Sequence, residues 1–178
     1  MPRSLFIAPL VDPTLDRVGF PLEHPYVEQV WLSVVGPTSV LALRRFGRQL
    51  EAEPAGVTVD LVELSRSLGL QAKDSVEIGR NSQLGRTIDR LIQFHFGAWI
   101  GEERLGVHRK VPAVTSHRVE RLPEPVRSIH HELLGEHLDG LARAAATPVR
   151  TTPPTTAARL AAVGHDAPTR VHESSIGR

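Results

Sequence analysis

The chain has 178 residues, and its 21 Lys and Arg nearly balance its 20 Asp and Glu, for a formal net charge of +1. This length predicts one domain with tails, and the lack of cysteine excludes a disulfide scaffold, a thiolate nucleophile and cysteine metal ligands. No apolar run approaches the ~18 residues of a membrane span, and the proline-interrupted N-terminus is too short for a signal peptide, so we expect a cytoplasmic protein that does not bind membranes.

The first 23 residues contain four prolines and no sustained hydrophobic period. This composition predicts an extended N-terminal arm over residues 1–23, before a domain that begins at residue 24. The arm is too apolar for a plain solvated tail, so we expect it to pack on the domain or on a protein partner. The apolar residues that would make this contact are Leu5, Phe6, Ile7, Leu10 and Val11.

Two helices are predicted in the next thirty residues. The first begins at His24-Pro25, because proline is favoured in a first helical turn, and its apolar residues recur at offsets of 0, 3, 4, 7 and 8. Gly36-Pro37 ends this helix, and Thr38 or Ser39 is predicted to cap the second. The residues predicted to face inward are Val27, Val30, Trp31, Val34 and Val35 in the first helix, and Val40, Leu41, Leu43, Phe46 and Leu50 in the second.

A short strand and two further helices follow. A β-branched run before Asp60 predicts the strand, and Asp60 is predicted to cap a helix that ends at Gly69. After a long connection over residues 70–80, Asn81 or Ser82 is predicted to cap an amphipathic helix. Its predicted apolar face holds Leu84, Ile88, Leu91, Ile92 and His95, and its predicted polar face holds Gln83, Arg86, Thr87, Asp89, Arg90 and Gln93.

After Phe96-Gly97 the hydrophobic period changes from 3.6 to 2, which predicts a β-hairpin. Its strands are residues 98–100 and 105–111, joined by a charged turn over residues 101–104. Along the second strand, one face is predicted to be apolar and the other polar. The apolar face holds Leu105, Val107 and Val111, and the polar face holds His108 and Lys110.

The C-terminal third divides into a helix and a tail. Residues 116–146 contain a helix opened by Pro123-Glu124-Pro125, which we expect to pack back on the domain at 24–115 or to form a dimer contact. The Thr-, Pro- and Ala-rich tail at 147–178 is predicted to be disordered. The helix residues predicted to face inward are Val126, Ile129, Leu133, Leu134, Leu138 and Leu141.

The order helix, helix, short strand, helix, helix and hairpin resembles a winged helix-turn-helix domain over about residues 25–115. Residues 86–101, RTIDRLIQFHFGAWIG, are the most specific stretch and are similar to that family's recognition helix running into its wing. The resemblance implies a mainly α fold with a small β-hairpin (α+β) and a role in binding DNA. His95 stands at the corner where relatives often have glycine, so either its backbone adopts a positive φ or the corner is built differently.

The polar face of residues 81–93 suits contact with duplex DNA. Arg and Gln side chains can make bidentate contacts to guanine and adenine, and a helix start presents free N–H groups to phosphate. Cations of the predicted hairpin could reach the neighbouring DNA backbone or minor groove, although Glu102 and Glu103 at the tip of the hairpin would repel phosphate. The predicted DNA-binding residues are Arg80, Asn81, Ser82, Gln83, Arg86, Thr87, Arg90, Arg104, Arg109 and Lys110.

We therefore expect a sequence-directed protein that binds double-stranded DNA, either a small transcription regulator or an accessory factor in replication or DNA mobility. It would bind as a homodimer through residues 123–143 or through the N-terminal arm. The alternative is a winged-helix module that binds another protein and no DNA, which the near-zero net charge also favours. No phosphate-binding Gly-rich loop, nucleophile elbow or zinc-binding helix spacing occurs, and His130, His131 and His137 are interpreted as surface residues, so we predict no enzyme activity, cofactor or metal site.

Overall fold

Four strands from three separate parts of the chain form the main sheet of the computed structural model, which describes residues 3–72, 79 and 81–146. The protein is mixed α+β, as predicted. The predicted tail at 147–178, Arg80 and most of the predicted connection at 70–80 lie outside the described residues.

The described elements alternate between short strands and helices along the chain. The strands are β1 (Ser4–Pro9), β2 (Phe20–Pro21), β3 (Val57–Asp60), β4 (Gly97–Gly101), β5 (Arg104–Val107) and β6 (Lys110–Val111). The helices are α1 (Pro13–Val18), a π-helical turn (Val27–Trp31) continuing into α2 (Leu32–Val35), α3 (Pro37–Ala52), α4 (Leu61–Ser67), α5 (Gln83–Gln93), α6 (Ser116–Val119) and α7 (Glu124–Ala146). In the part of the chain described, no helix combines the length and apolarity needed to cross a membrane.

Strand β1 lies inside the main sheet, whose order is β3-β1-β5-β4. It pairs antiparallel with β3 and parallel with β5, so that Ile7 lies opposite Val57 on one side and Leu105 on the other. The side chains of Leu5 and Ile7 are fully buried. The N-terminal segment therefore packs on the domain, as one of the two alternatives predicted, and it does so as an interior strand followed by helix α1.

The hairpin of β4 and β5 is shorter than predicted. The predicted second strand, residues 105–111, ends at Val107, and Lys110–Val111 pairs instead with Phe20–Pro21 in a separate two-stranded sheet. The chain turns at His108, whose Nδ1 donates to the Leu10 carbonyl oxygen at 3.0 Å. The predicted apolar face is nevertheless correct, since Leu105, Val107 and Val111 are all buried.

Local capping signals predict most helix ends correctly. The Asp60 carboxylate accepts from the first backbone N–H groups of α4, and the Ser82 hydroxyl accepts from the Gly85 N–H at 3.0 Å. Gly69, which is predicted to end α4, has φ 73°, and His95 has φ 57° at the corner after α5, the first of the two alternatives for that position. The start of α3 differs from the prediction, because neither Thr38 nor Ser39 caps it. Gly36, with φ 81° and ψ 161°, occupies the N-cap, and Pro37 is the first helical residue.

Several predicted side-chain orientations are wrong, because tertiary packing and not the local sequence pattern decides which way these side chains point. Leu41 of α3 and Leu138 of α7 point to solvent, although the sequence pattern places both inward. His95 is exposed, although it was assigned to the apolar face of α5. Thr87, predicted on the polar face of α5, is buried. Its hydroxyl forms a hydrogen bond within the helix, donating to the Gln83 carbonyl oxygen at 2.8 Å.

Helix α7 packs back through a cluster of aromatic and imidazole rings formed by Phe20, His24, Tyr26, His130 and His137, here called the Tyr26 cluster. Phe20 stacks between Tyr26 and His137, with ring centroids 3.9 and 4.1 Å apart. The interpretation of His130 as a surface residue is wrong, because it is only 4 % exposed and its Nδ1 lies 2.7 Å from the Tyr26 hydroxyl. The packing predicted for α7 is thus present, and its dimer contact stays a prediction.

Two imidazoles of the Tyr26 cluster have a lowered pKa, which favours their neutral form. The pKa of His130 is lowered mainly by burial and also by the charge on His131. The pKa of His24 is likewise lowered mainly by burial and also by the charge on His137, while Glu136 has a smaller, opposing effect. His24 Nδ1 also accepts the Tyr26 N–H, a bond that a proton on this nitrogen would break.

We expect the free energy of unfolding to fall as the pH drops from about 7 to 5. A histidine in the unfolded chain binds a proton near pH 6.5, whereas His24 and His130 in the folded protein have a lower pKa. The contribution of these two neutral imidazoles to stability is therefore complete above pH 6.5, and it is lost as the pH falls through their lowered pKa in the folded state. Each resisted proton contributes at most about 1.4 kcal/mol per pH unit. Urea titrations at several pH values would measure the slope. It should flatten in His130→Gln and stay unchanged in His117→Gln, which alters an exposed imidazole.

Candidate functional site

The exposed face of α5 carries the side chains that the sequence predicts to contact DNA. The Ser82 cap fixes the start of this helix, and Leu84, Ile88 and Leu91 bury its other face in the core. Gln83, Arg86 and Arg90 are exposed, and Arg86 and Arg90 are spaced one helical turn apart. Predicted amphipathicity therefore agrees with the observed burial for these residues, with Thr87 as the exception described above.

The two arginines of α5 form no ion pair with the carboxylates of the described residues. Two of the three arginines on α3 provide a contrast, whereas Arg45 is exposed and forms no ion pair with the described residues. Arg44 lies 2.9 Å from Glu28, and Arg48 lies 3.2 Å from Glu23, so the charges of these α3 side chains are locally compensated. The uncompensated positive charge on α5 is available to an external anion.

Arg86 and Arg90 border a groove of about 340 Å³ between α5 and the start of α3. Arg90 donates from a terminal nitrogen (Nη1) to the Val35 carbonyl oxygen at 3.2 Å, which holds its guanidinium beside the turn at Gly36. Thr38 and Ser39, the first polar residues of α3, line the same groove. We call this site the α3–α5 groove.

The cations of the hairpin lie elsewhere. Arg104 stacks over the Phe6 ring of β1 at 4.7 Å, and Arg109 donates to the Leu50 carbonyl oxygen near the end of α3 at 3.4 Å. Val35 precedes the start of α3 by two residues and Leu50 lies near its end, so about 20 Å of helix separates the carbonyl groups that Arg90 and Arg109 contact. Lys110 is half-buried in β6. The structure therefore brings Gln83, Arg86 and Arg90 together, and leaves these three cations outside that group.

The remaining predicted site residues are at the start of α5. Asn81 is exposed, the Ser82 hydroxyl is engaged in capping, and Arg80 lies outside the described residues. Thr38 and Ser39 are new members of the site. Sequence reasoning interpreted them as caps, because only the packing of α3 on α5 places them beside the two arginines.

The tip of the hairpin has a different character. Strand β4 is at the edge of the sheet and has a register irregularity between Trp99 and Gly101, where Trp99 and Ile100 are 40 % and 45 % exposed. Both side chains are therefore partly open to solvent at the tip. Glu102 and Glu103 add two exposed carboxylates at the turn.

No protein-family model, curated protein or solved structure matches this chain. Within the described ranges, no group of three or more His, Asp or Glu side chains is placed to hold a metal ion.

Proposed function

We propose that the protein binds duplex DNA through the exposed face of α5, and that residues 25–115 form a winged helix-turn-helix domain. The order of the described elements α2, α3, β3, α4, α5, β4 and β5 supports this assignment. The insertion of β1 between β3 and β5 is an addition to that arrangement. Such binding would serve a small transcription regulator or an accessory factor in replication or DNA mobility.

The exposed, uncompensated guanidinium of Arg86 is the observation that carries the proposal. Arginine is suited to the major groove because its planar group can bond to two acceptors of guanine at once. Gln83, on the preceding turn of α5, can form the equivalent pair of bonds with adenine. Both side chains project from a helix whose opposite face is fixed in the core, so their positions are set by the fold.

We expect the protein to bind a mixed-sequence duplex with an affinity that falls steeply as salt rises, because phosphate contacts release counterions. Arg86→Gln should weaken this binding several-fold, because the variant loses a contact to a base edge, and should leave the slope of log K against log salt nearly unchanged. Fluorescence anisotropy with a labelled duplex between low and moderate salt would measure both quantities.

Arg48→Gln provides the matched control, since it removes the same charge from a side chain already paired with Glu23. The proposal fails if the wild type does not bind duplex DNA at low salt. It fails equally if Arg86→Gln and Arg48→Gln have the same effect on affinity.

The exposed Trp99 and Ile100 favour a second function, in which the hairpin tip binds another protein. Aromatic side chains are enriched at protein interfaces, and an edge strand offers unpaired backbone groups for a further strand. Under this alternative, the protein would bind no DNA, and Trp99→Ser would abolish the binding of a protein partner while leaving the fold intact.

A further inference from the structure

We infer that the α3–α5 groove is a phosphate site, and, resting on the proposed function, that the phosphate belongs to a DNA strand. Two features of the groove point to an anion. The start of α3 opens into it, and Arg86 and Arg90 border it from α5. Among the described residues that line it, none is Asp or Glu.

The start of α3 supplies two backbone donors. Pro37 has no N–H, and the first N–H of this helix with a backbone acceptor is that of Val40, which bonds to the Gly36 carbonyl oxygen. The N–H groups of Thr38 and Ser39 have no backbone acceptor among the described residues. Both N–H groups lie at the N-terminal, positive end of the dipole of this 16-residue helix, which favours a bound anion.

The Ser39 hydroxyl is an independent indication of a ligand. Ser39 is only 3 % exposed, it lines the groove, and its hydroxyl has no hydrogen-bond partner among the described residues. The other buried small hydroxyls, those of Ser65 and Thr87, lie in the second turn of their helices and donate to backbone carbonyl oxygens at 2.7 and 2.8 Å. A ligand oxygen in the groove would supply the acceptor that the Ser39 hydroxyl lacks.

Arg90 differs from Arg86 in this arrangement. Its hydrogen bond to the Val35 carbonyl oxygen holds one terminal nitrogen beside Gly36, at the border of the groove. An anchored arginine suits a fixed, sequence-independent contact, whereas a free one can adjust to base edges. We therefore assign the phosphate to Arg90, Ser39 and Thr38, and base contact to Arg86.

The first arm of the test uses inorganic phosphate and the full chain. Titration should shift the amide resonances of Thr38, Ser39 and Val40 saturably, whereas chloride at equal ionic strength should not. Ser39→Ala and Arg90→Gln should each weaken this binding about tenfold, as expected for a bond to a charged group. Ser33→Ala, which removes an exposed hydroxyl from α2, and Arg48→Gln should have no effect. Shifts that do not saturate, or binding that Ser39→Ala leaves unchanged, would overturn the phosphate site.

The second arm uses duplex DNA and identifies the source of the phosphate. Arg90→Gln should weaken all duplex sequences alike and reduce the salt slope by about one, and DNA should shift the same three amides. If DNA binds but the groove amides and the slope do not respond, the assignment to a DNA phosphate is overturned and the proposed function stands. If inorganic phosphate binds in the groove and no duplex binds, the phosphate site stands and the proposed function fails.

Discussion

We expect Ile7→Ala to lower the free energy of unfolding by about 3 to 4 kcal/mol, because it creates a cavity at the centre of the main sheet. Ile7 is 0 % exposed, and its strand is flanked on both sides, with Val57 and Leu105 as its neighbours across the ladders. The cavity lies on the face of the sheet, and it cannot collapse without moving the backbone of β1, which is paired on both sides. The loss should therefore lie near the middle of the range for such truncations.

Val11→Ala provides the matched control. Val11 belongs to the same N-terminal segment but is 75 % exposed, so its truncation should change the stability by less than about 0.5 kcal/mol. Urea denaturation followed by tryptophan fluorescence would measure both variants, since the chain contains two tryptophans. A loss below about 1 kcal/mol for Ile7→Ala would contradict the position of β1 in the cooperative core.

The position of β1 also changes how an interaction of the N-terminal segment must be tested. Deletion of residues 1–23 would remove an interior strand, so the loss of a partner would report unfolding and not the loss of a contact. Point substitutions at exposed positions such as Val11 or Arg17 are the appropriate variants. The protein partner predicted for this segment stays a prediction that such variants can address.

Local chemistry predicts those features of the fold that depend on a few neighbouring residues. Asp60 and Ser82 act as caps because a short side chain can reach N–H groups two or three residues ahead, whatever surrounds the helix. His95 has its positive φ within the three-residue connection, residues 94–96, in which the chain turns from α5 into β4. The mixed α+β class follows from the change of hydrophobic period after Gly97.

Long-range pairing could not be predicted in the same way. The run Leu5-Phe6-Ile7-Ala8 is a short apolar stretch bounded by Pro9, which is compatible with a buried strand, but nothing in it identifies β3 and β5 as its partners. For the site, the polar spacing on α5 predicts Gln83, Arg86 and Arg90. It cannot predict that Ser39, 47 positions before Arg86, shares their groove.

We expect Tyr26→Phe to lower the free energy of unfolding by about 2 to 4 kcal/mol, because the hydroxyl serves two buried groups at once. It accepts from the Val114 N–H at 2.9 Å and lies 2.7 Å from His130 Nδ1, to which its own proton is then available. Burial raises the pKa of this hydroxyl to about 12, against an opposing effect of the Val114 bond, so it keeps that proton throughout the physiological range. Without the oxygen, a buried N–H and a buried imidazole nitrogen lose their partners, at about 1 to 3 kcal/mol each before relaxation.

A double-mutant cycle separates this hydrogen bonding from simple packing. His130→Leu removes the second partner of the hydroxyl, so Tyr26→Phe should cost less in that background than in the wild type, and the coupling energy should exceed about 0.5 kcal/mol. His117→Leu, at an exposed histidine of α6, should give additive effects with Tyr26→Phe. Because the substitution keeps the ring that stacks on Phe20, a loss caused by packing alone would be small and would show no coupling to His130. Additive effects in both cycles would therefore exclude the hydroxyl as the link between helix α7 and the segment that precedes α6.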